Sequence, residues 1–305
     1  MENSPPAPFI VGAGRSGTTL LRLMLDTHPE LAIPPETHFI IDLVSWQRRV
    51  FDKIFLLFKE FRWKGVFNQR DFFFRILVNH ERWGDFQIPA DALKARIANV
   101  HPFNMGEGFR AFYRLYAERF GKARWGDKTP RYVKSMILIQ RCLPEVRFIH
   151  IIRDGRDVAL SVRDLWFGPN TIKEAANRWV WTIKEARRQA QNLHHYLEVR
   201  YEDLILKTEE TLRQVCKFID LPWNPLVLSY YQRSPERLIE LKRDVATTGS
   251  RTIVEAGKRV GIHELTTHPP DPARIGRWKS EMKDSERKIF EEIAAPTLRE
   301  LGYEI

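Results

Sequence analysis

The stretch Phe9-Ile-Val-Gly-Ala-Gly-Arg-Ser-Gly-Thr-Thr-Leu-Leu-Arg22 decides the fold of this chain. Its first three residues are apolar and predict a buried strand, and a helix is predicted to begin at Thr18 and Thr19, after a glycine-rich turn. Glycines let backbone N–H groups converge on one point, and the first turn of a helix carries a partial positive charge. The stretch therefore predicts a strand, a loop and a helix that together cradle an anion.

The loop matches a Walker A loop only in part. The spacing from Gly12 to Gly17 fits the first part of the pattern G-x-x-x-x-G-K-[ST], but Thr18 stands where the lysine should be. Arg15 supplies a cation inside the loop instead. The loop is therefore expected to hold a phosphate-like group without the side chain that reaches the β- and γ-phosphates of a nucleoside triphosphate.

Further motifs follow in a fixed order along the chain. They are Pro35-Glu-Thr-His38, Gly126-Asp-Lys-Thr-Pro130, Phe148-Ile-His-Ile-Ile-Arg-Asp-Gly-Arg-Asp-Val-Ala-Leu-Ser161, Val199-Arg-Tyr-Glu-Asp-Leu204 and Arg274-Ile-Gly-Arg-Trp-Lys279. With the glycine-rich loop, this ordered set resembles the sulfotransferases that use 3′-phosphoadenosine 5′-phosphosulfate (PAPS), most closely the tyrosylprotein sulfotransferase-like branch and its bacterial relatives. The resemblance implies in-line transfer of a sulfuryl group to an acceptor hydroxyl or amine, with adenosine 3′,5′-bisphosphate (PAP) as the product.

The resemblance also implies which residues hold the donor. The residues expected to cradle its 5′-phosphate and sulfuryl oxygens are Arg15, Ser16, Gly17, Thr18 and Thr19.

A second anion site is implied for the 3′-phosphate, at Arg153 and Ser161. The alternative for Arg153 is a salt bridge at the helix start with Asp154 or Asp157. Tyr201 is expected near the adenine.

The C-terminal part of the chain is implied to complete the donor site. Arg277 and Trp278 are expected in a C-terminal cofactor loop, with residues 262–271 as the covering stretch. Thr266 or Thr267 could replace a serine that the family uses in the loop at the 3′-phosphate.

Three side chains are candidates for catalysis beside Arg15, which would stabilise charge on the sulfuryl oxygens. The resemblance implies that Glu36 is the general base and that Lys128 stabilises the leaving oxygen. His38 is a competing base, because an imidazole titrates nearer neutral pH than a carboxylate.

Strand and helix patterns alternate along the chain, which predicts an α/β fold of the P-loop-like, three-layer type: a central parallel sheet flanked by helices. We expect a single sulfotransferase domain over residues 1–305, with a helical insertion at about 40–120. Aromatic residues at helical spacing in this insertion are expected in the core, or alternatively in an acceptor pocket. They are Phe51, Phe55, Phe58, Phe61, Trp63, Phe67, Phe72, Phe73 and Phe74.

Composition narrows the remaining possibilities. The 305 residues are 43% hydrophobic and 29% charged, with a net charge of +10. The basic residues are scattered and no nucleic-acid motif is present, so nucleic acid is not an expected partner. Without a long apolar run or a secretion signal, we expect no transmembrane segment and a cytoplasmic location. Cys142 and Cys216 are expected to be buried free thiols.

Metal ions are not expected either, since no residues have metal-ligand spacing and His194-His195 is predicted to lie on the surface of a helix. Two other functions stay open from the sequence. One is a kinase or ATPase with a degenerate P-loop, and the other is a non-catalytic nucleotide-binding module. The acceptor could be a peptide tyrosine, a glycan, a lipid or a small molecule, and the oligomeric state is open.

Overall fold

A parallel sheet of four strands forms the centre of the computed structural model, which describes residues 5–43, 68–246 and 253–305. The strand order is β4-β1-β5-β6. The strands are β1 (Ala7–Gly12), β4 (Asp127–Lys128), β5 (Val146–Ile152) and β6 (Tyr196–Arg200). β1 and β5 pair along their full common length, from Ala7 opposite Val146 to Gly12 opposite Ile151. The carboxyl ends of the two central strands therefore meet at one edge, where parallel sheets bind ligands.

The side chains of β1 point alternately to the two faces of the sheet, and each face is covered by its own hydrophobic layer. Phe9 and Val11 pack into an aromatic core on one face, together with Phe148 of β5. Ile10 packs on the opposite face among leucines that follow the glycine-rich loop. Because both faces are covered, the central strand β1 is apolar along its whole length, as is usual in a parallel sheet. The predicted three-layer α/β fold is confirmed.

Helices cover both faces of the central sheet. They are α1 (Thr18–Asp26), α2 (Gln69–Val78), α3 (Ala90–Ala98), α4 (Met105–Glu118), α5 (Met136–Cys142), α6 (Gly155–Val162), α7 (Ile172–Ala190), α8 (Tyr201–Leu206), α9 (Thr208–Phe218), α10 (Ser234–Leu238), α11 (Ala256–Gly261), α12 (Trp278–Glu281) and α13 (Asp284–Glu300). Two small sheets complete the fold: β2 (Leu31–Ala32) with β3 (Arg124–Trp125), and β7 (Val245–Ala246) with β8 (Ile253–Val254). The short helices α10 and α11 flank β7 and β8 along the chain.

The predicted insertion supplies much of the aromatic core. Phe73 of α2 is fully buried and makes edge contacts with Phe109 of α4. Phe72 and Phe74 pack against the same core from half-buried positions. These three residues therefore pack in or against the core, which was the first of the two predicted roles. The other predicted aromatic residues lie outside the described residues: Phe51, Phe55, Phe58, Phe61, Trp63 and Phe67.

Tyr201 begins α8 directly after β6 ends at Arg200. Two local predictions need correction. His194 and His195 are exposed as predicted, yet they lie in the turn before β6, because α7 ends at Ala190. Both cysteines are free, but only Cys216 is buried and Cys142 is half-buried.

The described ranges contain neither a membrane-spanning helix nor a cluster of metal ligands. No helix there is long and apolar enough to cross a membrane. Within the same ranges, no three His, Cys, Asp or Glu residues are grouped closely enough to hold a metal ion.

Candidate active site

One large cavity, of about 1330 Å³, opens at the carboxyl ends of β1 and β5. The glycine-rich loop forms one wall, and Glu36, Lys128 and Arg153 line it from three other segments of the chain. These groups are far apart in sequence and meet because their strands are neighbours in the sheet. The cavity is therefore the candidate active site.

The glycine-rich loop needs two of its glycines for physical reasons. Gly12 has φ 151°, and a Cβ atom there would lie 2.6 Å from the Ile151 carbonyl oxygen. Gly17 has φ 103°, and its Cβ would lie 2.5 Å from the Tyr201 ring. Arg15 also adopts a positive φ, of 70°. Backbone in this region is costly for residues with a side chain, so the loop is held in a strained, ligand-cradling conformation.

Cationic groups of the loop and of β5 converge at the cavity. Arg15 Nε donates to Ser161 Oγ at 3.2 Å, so α6 and the loop are joined at this point. Arg153 stacks 4.4 Å above the Tyr201 ring and donates from Nη1 to the Arg15 carbonyl at 3.3 Å. Burial, and then the charges of Arg153 and Arg274, lower the pKa of Arg15. Guanidinium groups this close repel one another, so an anion between them would be stabilised.

Arg153 is also close to an acidic side chain. Its Nη2 lies 3.6 Å from Asp157 Oδ2, whereas Asp154 pairs with Arg156. Arg153 Nε is buried and has no hydrogen-bond partner among the described residues. The salt bridge with Asp157 is thus present, and it leaves one buried donor free.

Glu36 is held between the two other catalytic candidates. Lys128 Nζ donates to its Oε1 at 2.7 Å, and His38 Nε2 lies 2.9 Å from its Oε2. Burial would raise the pKa of Glu36, but the Lys128 ammonium and the hydrogen bond from His38 outweigh it and hold that pKa well below its usual range. Burial lowers the pKa of Lys128 in turn. The two side chains are therefore in direct contact, and each constrains the position of the other.

A buried hydrogen-bond cluster fixes this pair from below. Thr37, between Glu36 and His38, donates from Oγ1 to Asp127 Oδ2 at 2.8 Å and accepts from Tyr132 at 2.7 Å. The Thr37 backbone N–H donates to Thr129 Oγ1 at 3.0 Å. Asp127 and Thr129 are the chain neighbours of Lys128, and Thr37 is the chain neighbour of Glu36 and His38. The cluster therefore sets the spacing between the two charged side chains above it.

Asp127 itself is an unusual member of this cluster. Its side chain is fully buried, Tyr113 donates to its Oδ2 at 2.8 Å, and its Oδ1 has no partner among the described residues. Burial raises the pKa of Asp127 to about 6.

His263 was missed by the sequence analysis, although it lies in the stretch expected to cover the donor. It lines the cavity. Burial, followed by the charges of Lys128 and Arg15, lowers the pKa of His263 well below its usual value. The imidazole is therefore neutral at physiological pH and faces the reacting groups. The sequence did contain a signal for this residue, namely a histidine within the stretch expected to cover the donor.

Several predicted donor residues do not line the cavity. The Ser16 hydroxyl turns back and donates to the Ala13 carbonyl at 2.7 Å. Arg277 pairs with Glu281 on the surface, and Trp278 is buried with its ring 3.5 Å from the Arg156 guanidinium. Neither Arg277 nor Trp278 lines the cavity, and their donor-binding role stays a prediction. Arg274, just before them, does line it.

The stretch expected to cover the donor, residues 262–271, contacts the glycine-rich loop, but only one of its two threonines lines the cavity. Arg15 Nη1 donates to the Ile262 carbonyl at 2.7 Å, so this stretch does lie over the loop. The Thr266 hydroxyl donates to the His263 carbonyl at 2.6 Å, and Thr267 to that of Glu264 at 2.7 Å. Thr266 lines the cavity and Thr267 does not.

A comparison with protein-family models decides between the functions that the sequence left open. The model described as "Sulfotransferase family" matches residues 6–225, which include the loop, Glu36, Lys128, Arg153 and Tyr201. The chain belongs to the sulfotransferase family. The predicted family and enzyme class are confirmed.

Relatives of this sulfotransferase are distant but similar over most of its length. Protein-tyrosine sulfotransferase A of Caenorhabditis elegans is 25% identical over 315 residues, covering 99% of this chain and 68% of the relative. Protein-tyrosine sulfotransferase 1 of Danio rerio is 25% identical, covering 98% and 72%. Among solved structures, the sulfotransferase domain of the Synechococcus PCC 7002 olefin synthase superposes with a TM-score of 0.58 at 20% identity, covering 100% and 98% of the two chains. That likeness shows a shared fold.

Proposed function

We propose that this sulfotransferase transfers a sulfuryl group from PAPS to an acceptor hydroxyl by a single in-line displacement. The observation that carries the proposal is the contact between Lys128 Nζ and Glu36 Oε1, 2.7 Å, on the wall of the cavity that Arg15 and Arg153 also line. One cavity thus contains a base, a cation for the leaving oxygen and two arginines for the donor's anionic groups.

The residues of the cavity fit such a donor. Gly17, Thr18 and Thr19 line the cavity where α1 begins, and backbone N–H groups at the start of a helix bind phosphate well. Arg153 Nε is a buried donor with no partner in the described part of the chain, which suits a 3′-phosphate. In this proposal Arg15, Thr18 and Thr19 bind the phosphosulfate, and Arg153 with Ser161 binds the 3′-phosphate.

Atoms and charges balance in the proposed step. The acceptor oxygen forms a bond to sulfur while the bond from sulfur to the 5′-phosphate oxygen breaks, and PAP leaves. The acceptor proton passes to the Glu36 carboxylate. Lys128 stabilises the negative charge that grows on the leaving oxygen, and Arg15 that on the sulfuryl oxygens.

The ion pair also explains how a weak base could become effective. While Lys128 contacts Glu36, the pKa of Glu36 is depressed and the carboxylate is a poor proton acceptor. When Lys128 turns to the donor's leaving oxygen, Glu36 loses its closest cation and becomes more basic. Proton acceptance is then coupled to the presence of the donor.

His38 is retained as the alternative base. Its Nε2 lies 2.9 Å from Glu36 Oε2, so the two groups form a dyad whose members are within reach of one proton. His38 has φ 57°, and Phe39 N–H donates to the Thr37 carbonyl at 2.6 Å, so the chain turns sharply at this residue. Strained backbone of this kind is often found at functional positions. Separate substitution of the two residues distinguishes their roles.

A hydroxyl acceptor agrees with the relatives, whose names describe sulfotransferases that act on protein tyrosine. A tyrosine hydroxyl is accordingly one acceptor within the proposed class.

The test is a thermal-shift comparison of PAP with AMP, ADP and ATP, without added metal. A ligand at about 100 times its dissociation constant adds about 2.7 kcal/mol to the free energy of unfolding, which raises the Tm measurably. We expect a shift with PAP that exceeds the shifts with the other three, and its loss in Arg153→Ala. Arg299→Ala is the matched control, because Arg299 is exposed on α13 and does not line the cavity. An equal shift with AMP, or a shift with ATP alone, would overturn the proposed donor.

A further inference from the structure

The cavity lining includes exposed aromatic residues to which the proposed function assigns no role. Among the described residues, the exposed Trp and Phe side chains are Trp166, Phe167 and Trp181, with exposed fractions of 42%, 42% and 46%. All three line this one cavity. Exposed aromatic residues that cluster in one place often form a binding surface, whereas single exposed ones are common on any protein.

Two cations line the same cavity as these rings. Arg131 and Lys134 lie on the single-turn segment Pro130–Lys134, which directly follows Lys128 and Thr129. Lys134 Nζ lies 5.0 Å from the centroid of the Trp181 ring. Gln189 of α7 donates to the Val133 carbonyl at 3.0 Å and so fixes the segment against the helix that carries Trp181. We call these five residues (Trp166, Phe167, Trp181, Arg131 and Lys134) the aromatic–basic wall.

The charge around the cavity is strongly unbalanced. Ten Lys and Arg residues line it, against two acidic residues, Glu36 and Asp271. Several of the ten have other roles: Arg22 pairs with Glu240, Arg82 and Arg259 share Asp85, and Arg178 pairs with Glu174. Arg15, Lys128 and Arg153 act on the donor in the proposed function. Arg131 and Lys134 are exposed, line the cavity, and have no acidic partner within the described ranges.

We infer that the aromatic–basic wall binds the acceptor, and that the acceptor is a small hydroxylated aromatic compound with an anionic group such as a carboxylate. The inference rests on the proposed function and specifies its substrate class. The rings offer flat apolar area, and the two cations offer an anion site next to the cavity. An anionic ring-bearing acceptor satisfies both, with its hydroxyl directed toward Glu36.

The acceptor class follows from the rings and the cations together and from neither alone. A neutral aromatic compound would leave Arg131 and Lys134 without a counter-charge, and an anion without a ring would leave the indoles exposed to water. The wall continues directly from Lys128 along the chain, so an acceptor on it would adjoin the reacting groups.

The test uses para-hydroxyphenylacetate and its neutral amide, para-hydroxyphenylacetamide, as a matched pair of probes. Their dissociation constants are measured by calorimetry with the full chain saturated with PAP. We expect the carboxylate to bind about three to ten times more tightly than the amide, as two partly exposed ion pairs allow. The preference is expected to fall at high salt, because exposed charges are screened.

Variants separate the two halves of the wall. Lys134→Gln and Arg131→Gln are expected to bring the affinity for the carboxylate toward that for the amide, without changing the latter. Trp181→Ala is expected to weaken both. Lys279→Gln and Leu226→Ala are the controls, because these exposed residues lie away from the cavity.

The outcomes distinguish this inference from the proposed function. Equal binding of the two probes, or an unchanged preference in Lys134→Gln and Arg131→Gln, overturns the aromatic–basic wall while PAP still binds. A failure of PAP to bind the unmodified chain overturns the proposed donor instead.

Discussion

Lys128 Nζ lies 2.7 Å from Glu36 Oε1, so the proposed base and the proposed stabiliser of the leaving group neutralise each other in the protein without ligands. The Lys128 side chain is 3% exposed and that of Glu36 is 29% exposed. Glu36 can therefore meet an acceptor from the cavity while its partner approaches from the protein interior. We expect this pair to separate when the donor binds.

Glu36→Gln tests the base. Glutamine retains the shape and a hydrogen-bond acceptor but cannot take the acceptor's proton, so kcat is expected to fall about 100-fold to 10,000-fold. PAP affinity should change little, because Glu36 is assigned no donor contact. His38→Ala, measured alongside, is expected to have a smaller effect. A larger loss in His38→Ala than in Glu36→Gln would make His38 the base.

Lys128→Met tests the electrostatic control of Glu36. Removing the ammonium removes the main cause of the depressed Glu36 pKa, so the pKa is expected to rise toward the usual glutamate range. Because the base must be ionised, the acidic limb of the pH profile of kcat/KM should move to higher pH. If the variant keeps some activity and the acidic limb of its pH profile does not move, this account is contradicted.

Thr37→Val tests the buried cluster under the pair. The valine is nearly isosteric but loses the bonds to Asp127 and Tyr132, at a cost of about 1–3 kcal/mol of stability. If the cluster positions Glu36 and Lys128, kcat should fall at least about tenfold with PAP affinity retained. Thr37→Ser keeps the hydroxyl and should restore kcat. A loss of stability without a loss of kcat would leave the cluster a purely structural role.

Asp127 provides a prediction on pH and stability. Its pKa is about 6 in the folded protein against 3.8 for the free side chain, so the folded state binds its proton more tightly. Stability from this group is present at low pH and is lost as pH rises from about 4 to 6. Asparagine does not titrate, so the Tm of Asp127→Asn minus that of the unmodified protein should increase across this window. A difference that is flat with pH would show that Asp127 is ionised throughout.

Gly17→Ala tests the loop. Its Cβ would lie 2.5 Å from the Tyr201 ring at φ 103°, so the loop must shift and PAP affinity is expected to fall at least about tenfold. Gly257→Ala is the matched control. It lies in α11 with nothing within 4 Å of the added Cβ, and it should stabilise the protein by up to about 1 kcal/mol. Thermal shifts with and without PAP measure both effects.

Local sequence determined the central fold and much of the candidate site. The apolar run of β1, the glycines and the start of α1 are consecutive in the chain, so their geometry follows from neighbouring residues. The same holds for β5 and α6 around Arg153. Motif order then indicated Glu36 and Lys128, although 92 positions separate the two.

Only the tertiary structure decided which side chains meet. Pairing of β1 with both β4 and β5 brings Lys128 and Arg153 to the same edge, and the hydrogen bonds of Thr37 to Asp127 and Thr129 hold Glu36 beside Lys128. Likewise Arg277 and Trp278 do not line the cavity, while the segment before them brings in His263 and Arg274. The physical reason is that motifs are set by local chain geometry, whereas contacts between distant segments depend on how the helices and loops pack around the sheet.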